Sequence, residues 1–250
     1  MTAPQDDDAP NWTGRRYWII GASQGLGSAL ARKLSAVGCD LVLSARNEEA
    51  LRGLAAALPR RADVVPLDVT DSAAVTRAAE EIGDIDGVVF MAGAYWPMKA
   101  TDWNAEQVTT MCDVNLTGAA RVMGAVVPGM VARRRGHIVL TGSLAGHRGL
   151  PGAIGYGASK AGVMHLAETM HADLRGSGVR VQLVNPGFVR TRLTDKNDFE
   201  MPFIMEPDRA ASEIFEHMTT GSFQRNFPVG FALMFRLARL LPDFLYYRLF

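Results

Sequence analysis

The glycine-rich stretch near the start of the chain lies between an apolar run and a helical pattern, and this order restricts the fold most. Residues 15–20 form a short strand-like run, and residues 28–34 have helical spacing. Between them lies Gly21–Gly27, which reads GASQGLG. Glycines let a backbone approach a pyrophosphate, and the amides at a helix start complement its charge. This order therefore predicts a dinucleotide site. Because the spacing is G-x-x-x-G-x-G, a purely structural turn remains the alternative.

Strand-like and helical segments alternate along the rest of the chain. Apolar runs predict strands over 40–44, 62–67, 87–91, 137–140 and 179–184. The segments between them predict helices over 48–58, 72–82, 105–130 and 156–174. Such alternation indicates a parallel sheet covered by helices on both faces. The predicted fold is α/β: a Rossmann-like doubly wound parallel sheet in a three-layer α/β/α arrangement, as a single domain.

Composition narrows the class of protein. The chain has 26 basic and 26 acidic side chains and is 48% hydrophobic, which indicates a globular protein and gives no argument for nucleic acid binding. The five histidines lack metal-ligand spacing, so no metal is expected. Two cysteines are too few for a disulfide framework and favour a reducing, cytoplasmic compartment.

The ends of the chain differ from its middle. Residues 1–13 include three aspartates and a proline-containing start without an apolar run, so a flexible tail is expected there rather than a signal peptide. Residues 14–226 are expected to form the domain that binds cofactor and carries the chemistry. Residues 227–250 are expected to form an apolar helical extension of that domain.

Tyr156 and Lys160 are four residues apart in a predicted helix, so they share one of its faces. A free phenol titrates near ~10 and is a poor acid or base at neutral pH. A fixed cation nearby favours the phenolate and lowers the phenol pKa toward the range useful in catalysis. On its own, the spacing also fits an ordinary surface pair.

Other chemically informative residues follow the ends of predicted strands, where ligands bind in parallel sheets. They are Asp68-Val69, Ala92-Gly93, Ser143 and Asn185-Pro186-Gly187. Asn115 lies inside the predicted helix 105–130, where a satisfied core amide and a functional amide are both open interpretations.

Together these residues resemble the short-chain dehydrogenase/reductase family, in its compact one-domain form. The resemblance covers about residues 14–195. It rests on Gly21-x-x-x-Gly25-x-Gly27, Asp68, Ala92-Gly93, Asn115, Ser143, Tyr156-x-x-x-Lys160, and Pro186-Gly187 with Thr191. It implies an oxidoreductase that transfers hydride between a nicotinamide cofactor and a carbonyl or alcohol group.

The resemblance also implies a role for each catalytic residue. Tyr156 is the general acid in carbonyl reduction and the general base in alcohol oxidation, and Lys160 lowers its pKa and bonds the ribose. Ser143 orients and polarises the substrate oxygen. Asn115 holds a water that links Lys160 to solvent. The implied cofactor site comprises Gly21, Ser23, Gln24, Gly25, Leu26, Gly27, Arg46, Asp68, Val69, Ala92, Gly93, Tyr156, Lys160, Pro186, Gly187, Val189 and Thr191.

The end of the second predicted strand bears on the choice of cofactor. NAD users place an acidic residue there to bond the ribose, whereas NADP users place an arginine near the 2′-phosphate. Here the strand is followed by Ala45 and Arg46. A guanidinium suits bidentate phosphate contact, so NADP(H) is expected rather than NAD(H).

Several interpretations of the whole chain remain. The favoured one is an NADP(H)-dependent reductase of an apolar or aromatic carbonyl compound. A 3-ketoacyl-thioester reductase and a non-catalytic NADP(H)-binding regulator are the alternatives, and a sugar-nucleotide epimerase is disfavoured. The expected pocket lining is Tyr95, Trp96, Met98, Leu144, His147, Leu150, Phe188, Phe199, Met201, Phe203, Ile204 and Met205.

Assembly and the C-terminus give the last expectations. The helices 105–130 and 156–174 carry apolar or small residues on more than one face, which predicts a homodimer; the residues are Ala119, Val122, Met123, Val126, Val163, Met164 and Ala167. The strand and Asp-Gly-Gly that end many family members are absent. Instead, 231–241 is a helical stripe of Leu233, Leu237, Leu240 and Leu241, flanked by Arg236 and Arg239 and ended by Pro242. A lid over the pocket is favoured for 231–250, ahead of peripheral membrane contact and a dimer contact.

Overall fold

A parallel β-sheet forms the centre of the computed structural model, which describes residues 11–238 and 240–249. Within those residues the sheet has seven strands in the order β3-β2-β1-β4-β5-β6-β7. They are β1 (Arg16–Ile20), β2 (Asp40–Ser44), β3 (Ala62–Val64), β4 (Gly87–Phe90), β5 (Gly136–Thr141), β6 (Val179–Pro186) and β7 (Gln224–Phe227). The strand order reverses between β1 and β4, so their carboxyl ends border the crevice where doubly wound sheets bind ligands.

Nine α-helices in the described residues cover this sheet and extend beyond it. They are α1 (Gly25–Ala36), α2 (Glu48–Ala56), α3 (Ser72–Ile82), α4 (Ala105–Cys112), α5 (Gly118–Ala132), α6 (Ile154–Asp173), α7 (Pro207–Met218), α8 (Val229–Ala238) and α9 (Asp243–Leu249). Asn47, Asp71 and Asn104 cap α2, α3 and α4 by accepting a hydrogen bond from a first-turn amide.

Successive strand residues pack into two different cores, as the two-residue period of a strand requires. Trp18 and Ile20 of β1 belong to the core under α3, α5 and α6. Tyr17 and Ile19 belong to the opposite core, which α1, α2 and α7 cover. The expected three-layer α/β/α architecture is confirmed.

The structure corrects the expected tail over 1–13. Residues 1–10 lie outside the described residues, but Trp12 is buried and belongs to a core. Its ring packs at 5.6 Å from Tyr17 and at 5.5 Å from Phe215, measured between ring centroids. Burial of a large aromatic ring holds this segment on the domain.

The region after residue 184 also differs from expectation. The sequence predicts no strand there, but β7 pairs in parallel with β6, with Leu183 opposite Gln224 and Pro186 opposite Phe227. Only Phe227 of β7 is fully covered, so the segment lacks the apolar run that indicates a strand. Helix α7 was likewise not predicted.

The long helix from 105 to 132 is a core element. In the described part of the chain it is the one helix whose length and hydropathy would allow a membrane span. However, Val122, Met123 and Met130 are buried in the core beneath it, and so are all the other residues on which the dimer prediction rests: Ala119, Val126, Val163, Met164 and Ala167. Their apolar character therefore reflects packing within one chain and carries no argument for an interface.

Candidate active site

The glycines after β1 allow three backbone segments to pack closely. Gly21 has a φ of 93°, and a Cβ there would lie 2.6 Å from the amide nitrogen of Ala92. A Cβ at Gly27 would overlap the carbonyl oxygen of Gly21. Gly25 has a φ of 55°, and its Cβ would lie 2.9 Å from Cγ2 of Thr191. Glycine is therefore required at each position.

This turn fits the pyrophosphate of a dinucleotide. Gln24 is the residue before α1 and makes no side-chain cap hydrogen bond, and the first turn contains no acidic residue. The first amides of α1 are thus available to an anion, in a field that favours negative charge. The predicted residues Ser23, Gln24 and Leu26 lie in this turn, and Thr191 borders it through Gly25.

The neighbouring strand ends carry the residues expected at the adenine end of the cofactor. Asp68 accepts hydrogen bonds from Thr70, at 2.9 Å from the amide nitrogen and 2.7 Å from the hydroxyl. Burial acts to raise the pKa of Asp68, but these bonds and the charges of Arg46 and Arg121 hold it below its usual value. Asp68 is therefore an ionised carboxylate, and the positive charge of the exposed Arg46 stabilises it. Val69 is buried beside Gly118.

Ser143 lies just beyond β5, at the start of a short 3₁₀ turn over Leu144–Gly146. Its hydroxyl oxygen accepts a hydrogen bond from the amide of Ala145 at 3.2 Å. The same hydroxyl acts to lower the pKa of Tyr156, which lies on the first turn of α6 and borders the same cavity. The structure thus brings these two predicted catalytic groups together.

The structure corrects the expected effect of Lys160 on Tyr156. Burial raises the pKa of Tyr156, and the nearby Ser143 hydroxyl opposes that rise only in part. The Lys160 nitrogen lies 5.8 Å from the centre of the Tyr156 ring and donates a hydrogen bond to the Thr141 carbonyl at 2.8 Å. The cation is therefore held on β5, and desolvation by burial is the larger influence on the pKa of the phenol.

Lys160 is itself a buried group. Its side chain is enclosed between α6 and β5, and burial lowers its pKa to about 8. At pH 7 the ammonium form still exceeds the amine by roughly tenfold. A cation therefore remains available beside the phenol, while its hydrogen bond to Thr141 fixes its position.

Asn115 lies in a π-helical turn over Asp113–Thr117, between α4 and α5. Its Oδ1 accepts from the Ala94 amide at 2.7 Å, and its Nδ2 donates to the Ala94 carbonyl at 3.0 Å. Nδ2 also donates to the Ser159 hydroxyl at 2.9 Å. The side chain is thus a fully bonded amide that ties the loop after β4 to α6. Its role in a water relay stays a prediction.

The remaining predicted cofactor residues border the same crevice. A Cβ at Gly93 would lie 3.6 Å from the Asn115 side chain, so the Ala92-Gly93 turn packs against the π-helical turn. Pro186 ends β6 and Gly187 follows it. The side chain of Val189 is buried in the core, so Val189 can offer only its backbone to a ligand.

A cavity of about 770 Å³ opens beside Tyr156 and Ser143. Its walls are mainly apolar and aromatic, which is typical of a site for a small organic molecule. Of the predicted lining residues, the structure places Tyr95, Met98, Leu144, Leu150, Phe188 and Phe199 on the wall. It places elsewhere Trp96, His147, Met201, Phe203, Ile204 and Met205, and Met205 is buried in a core.

Helix α8 forms one wall of the cavity. The sequence predicts a lid from this region but does not indicate which of its residues line the cavity. Phe231 and Phe235 line the cavity and form a small core with Leu144. A Cβ at Gly187 would lie 2.9 Å from the Phe231 ring, so glycine permits this close approach. The predicted leucine stripe points the other way, because Leu233, Leu237 and Leu240 are exposed. The side chain of Arg239 lies outside the described residues.

Tyr95 links the catalytic tyrosine to the loop after β6. Its ring meets the Tyr156 ring edge-on at 4.9 Å, and its hydroxyl donates to Asn197 Oδ1 at 2.6 Å. The Lys196 ammonium donates to the Tyr95 carbonyl at 2.7 Å. The lining roles of Asn197 and Lys196 were missed, and no sequence motif marks these two residues.

Comparisons with known proteins identify the family of this chain. The short chain dehydrogenase family model matches residues 16–201. An uncharacterized oxidoreductase of Myxococcus xanthus (strain DK1622) is 40% identical over 236 residues, covering 92% of this chain and 93% of that protein. The chain belongs to the short-chain dehydrogenase/reductase family.

Two further relatives bear on function. A 3-oxoacyl-(acyl-carrier-protein) reductase of Thermotoga maritima is 32% identical over 234 residues, covering 89% of both chains. The solved structure of a short-chain dehydrogenase from Sphingobium yanoikuyae in complex with NADPH has a TM-score of 0.82 at 28% identity. That similarity covers 89% of this chain and 91% of the other.

Proposed function

We propose that this protein is an NADP(H)-dependent oxidoreductase that interconverts an apolar or aromatic carbonyl compound and its alcohol. One observation carries the proposal. Ser143 and Tyr156 both form part of the wall of a largely apolar cavity, and the buried Lys160 nitrogen lies 5.8 Å from the Tyr156 ring. General acid–base chemistry needs this kind of positioned proton donor.

The raised pKa of Tyr156 suits carbonyl reduction. The phenol stays protonated at neutral pH, so it can donate its proton to the substrate oxygen, while the Ser143 hydroxyl hydrogen-bonds the same oxygen. The Lys160 ammonium then stabilises the phenolate that remains. The nicotinamide cofactor, when bound, supplies or accepts the hydride.

Arg46 supports the preference for NADP(H). It is exposed directly after β2, next to the Asp68 carboxylate, at the edge where the ribose of a dinucleotide would lie. An exposed guanidinium can bond a 2′-phosphate with two nitrogens. The solved relative from Sphingobium yanoikuyae contains NADPH, which is consistent with this choice.

A 3-ketoacyl thioester is the second candidate substrate. The relative from Thermotoga maritima acts on such a compound by its name. The cavity is large enough for part of an acyl chain, and its wall combines Met98, Leu150 and Phe235. A longer aliphatic chain would follow this apolar wall away from Tyr156.

We also propose a homodimer formed by the outer faces of α5 and α6. The residues that first suggested it are buried in the chain's own core. The outer faces instead expose small side chains, with Ala120 and Gly124 on α5 and Ala161 on α6. Small residues allow two helices to approach closely. Light scattering at micromolar concentration tests this arrangement, and a monomer would contradict it.

The function is tested by a screen of carbonyl and alcohol compounds monitored by NADPH absorbance. The screen contains aromatic ketones, aliphatic aldehydes and a 3-ketoacyl thioester. Wild-type protein is expected to turn over at least one apolar carbonyl compound, and Tyr156→Phe is expected to lose that turnover while still binding NADPH. Tight NADPH binding without turnover of any compound would favour the non-catalytic regulator instead.

A further inference from the structure

The outer face of the C-terminal segment is unusually apolar for a surface. Helices α8 and α9 expose Val229 to 74%, Leu240 between them to 81%, and Phe244 to 79%. Leu233, Met234, Leu237, Leu245 and Tyr247 are exposed with them. Single exposed hydrophobic residues are ordinary, but so many on two successive short helices and the turn between them indicate an interaction surface. We call these eight residues the outer apolar face.

The outer apolar face is not a misplaced part of the core. The opposite side of α8 already packs inward, through Phe231, Ala232, Phe235 and Ala238. Phe231 also stacks on Phe203 at 5.6 Å, and Phe203 is itself exposed. The apolar surface therefore extends toward Phe203 and the neighbouring wall of the cavity. A helix that is apolar on both sides normally has both sides covered, so a partner is expected to cover the outer side of α8.

Arg148 holds this segment in place. Its Nη1 donates to the carbonyls of Ala238 and Leu241 at 2.9 and 2.7 Å, and its Nη2 bonds Asp243 at 2.6 Å. Its guanidinium lies 3.9 Å from the centre of the Tyr246 ring. The Tyr246 hydroxyl in turn donates to the Gly149 carbonyl at 2.9 Å. The loop after Ser143 thus anchors α8 and α9, so the outer apolar face is preformed.

The charges on α8, on α9 and on the turn between them are mostly positive. Within residues 229–238 and 240–249, the charged side chains are Arg236, Asp243 and Arg248. Both arginines are exposed, whereas Asp243 is paired with Arg148. A twofold dimer built on this face would bring together the net positive charge of two copies. An anionic surface complements the face better than a second copy does.

We infer that the outer apolar face docks onto an anionic lipid surface, with α8 and α9 lying along the interface. Leucine and phenylalanine side chains would enter the acyl boundary, while Arg236 and Arg248 contact the headgroups. The ten residues of α8 are too few to span a bilayer, which takes about 20. Docking would bring the wall formed by Phe231 and Phe235 close to the lipid. The inference that this face docks onto lipid does not depend on whether the protein turns over a substrate.

The experiment is co-sedimentation of the full chain with vesicles. One vesicle type is phosphatidylcholine, and the other is an equimolar mixture of phosphatidylcholine and phosphatidylglycerol. The test variant is Leu233→Ser with Leu237→Ser, which leaves Phe231 and Phe235 on the cavity wall. The matched control is Val37→Ser with Trp103→Ser, which removes two other exposed apolar side chains, outside the C-terminal helices and outside the helices of the proposed dimer. Thermal melting checks that each variant folds.

The wild type and the control are expected to sediment with the anionic vesicles and much less with phosphatidylcholine. The leucine variant is expected to lose affinity on the order of tenfold or more, and Arg236→Gln with Arg248→Gln to lose the preference for anionic lipid. A wild type that stays in the supernatant with both vesicle types overturns the inference. A leucine variant that sediments like the wild type also overturns it. If the leucine variant lowers the mass in light scattering while neither form binds vesicles, the face belongs to a second copy and the inference is wrong.

Discussion

A tyrosine with a raised pKa lies at each end of the sheet, and the two have different uses. Tyr17 of β1 is hydrogen-bonded to His137 at the amino end of the strands, at 2.8 Å. Tyr156 lies at the carboxyl end and is partly buried, and Ser143 acts to lower its pKa. Burial raises the pKa of both phenols. A shifted pKa therefore does not distinguish the two sites.

The two tyrosines differ in whether their hydrogen-bonding groups are all used within the protein. The amide of Gln182 donates to the carbonyls of His217, Thr220 and Ser222, so its Oε1 is left to accept from His137 Nε2 at 2.7 Å. His137 is thus neutral with Nε2 protonated, and Tyr17 donates to its Nδ1. This cluster is closed and fully bonded. Tyr156 instead borders a cavity where a substrate oxygen can join its hydrogen bonds. The comparison shows that access, more than a perturbed pKa, marks the functional site.

At the carboxyl end of the strands, where Tyr156 borders the cavity, Ser143→Ala is expected to lower turnover more than any other change except loss of Tyr156. The variant loses the hydroxyl that orients the substrate oxygen and opposes the raised pKa of Tyr156. We expect turnover to fall by about 10² to 10³, the usual loss for one such donor. Steady-state kinetics with the best substrate of the screen measures it. A variant with wild-type turnover would show that the pair at the carboxyl end is as structural as the one at the amino end.

Arg46→Asp is expected to change cofactor preference. The variant removes a phosphate partner and places a carboxylate near Asp68, so NADPH should bind about 10- to 150-fold more weakly, the range for a charged hydrogen bond. NADH binding should change little. Fluorescence titration measures both constants, with Arg52→Asp, on the exposed side of α2, as the charge-matched control. Tighter binding of NADH than of NADPH by the wild type would contradict the proposal.

The hydrogen-bonded cluster of Tyr17, His137 and Gln182, at the amino end of the strands, should make the stability of the protein depend on pH. Burial lowers the pKa of His137 to about 3, below its ordinary value of 6.5. Because the folded pKa is depressed, its stabilising effect is present above pH 6.5 and is lost as the pH falls toward 3. At pH 5 this amounts to about 2 kcal/mol of unfolding free energy. Buried His217 acts in the same direction.

Urea unfolding between pH 5 and 7.5 measures this dependence. The comparison is with His137→Gln, which removes the titrating group from the closed cluster and should flatten the curve even if it lowers stability at pH 7.5. Parallel curves for the two proteins would show that His137 does not titrate in this way.

The sequence predicts most strands of the sheet, for physical reasons. Asp40–Ser44 and Ser72–Ile82 have the predicted bounds, because an apolar run and a capped amphipathic segment are local signals. Strand β7 gives no such signal, since Gln224 and Asn226 are polar. Its place is set by pairing with β6, which is a tertiary effect.

The candidate site likewise combines features that the sequence predicts with features that depend on tertiary structure. The order of Ser143, Tyr156 and Lys160 predicts which groups meet, but spacing alone does not show that the Lys160 nitrogen binds the Thr141 carbonyl. Desolvation then raises the pKa of Tyr156, where the sequence predicts a lower one. In the C-terminal segment, helical periodicity identifies an apolar stripe without showing which way it faces. The larger Phe231 and Phe235 rings fill the cavity wall, so the leucines face outward.

The most direct measurement compares Tyr156→Phe and Tyr17→Phe in both catalysis and unfolding. Tyr156→Phe should lower turnover by about 10² to 10⁴ and leave the free energy of unfolding nearly unchanged. Tyr17→Phe should keep turnover but lose about 0.5–1.5 kcal/mol of stability, because His137 Nδ1 loses the phenol as a donor while Arg180 Nη2 still lies 3.2 Å from it. Wild-type turnover in Tyr156→Phe, or an equal loss of turnover in both variants, would contradict the assignment of chemistry to the carboxyl end alone.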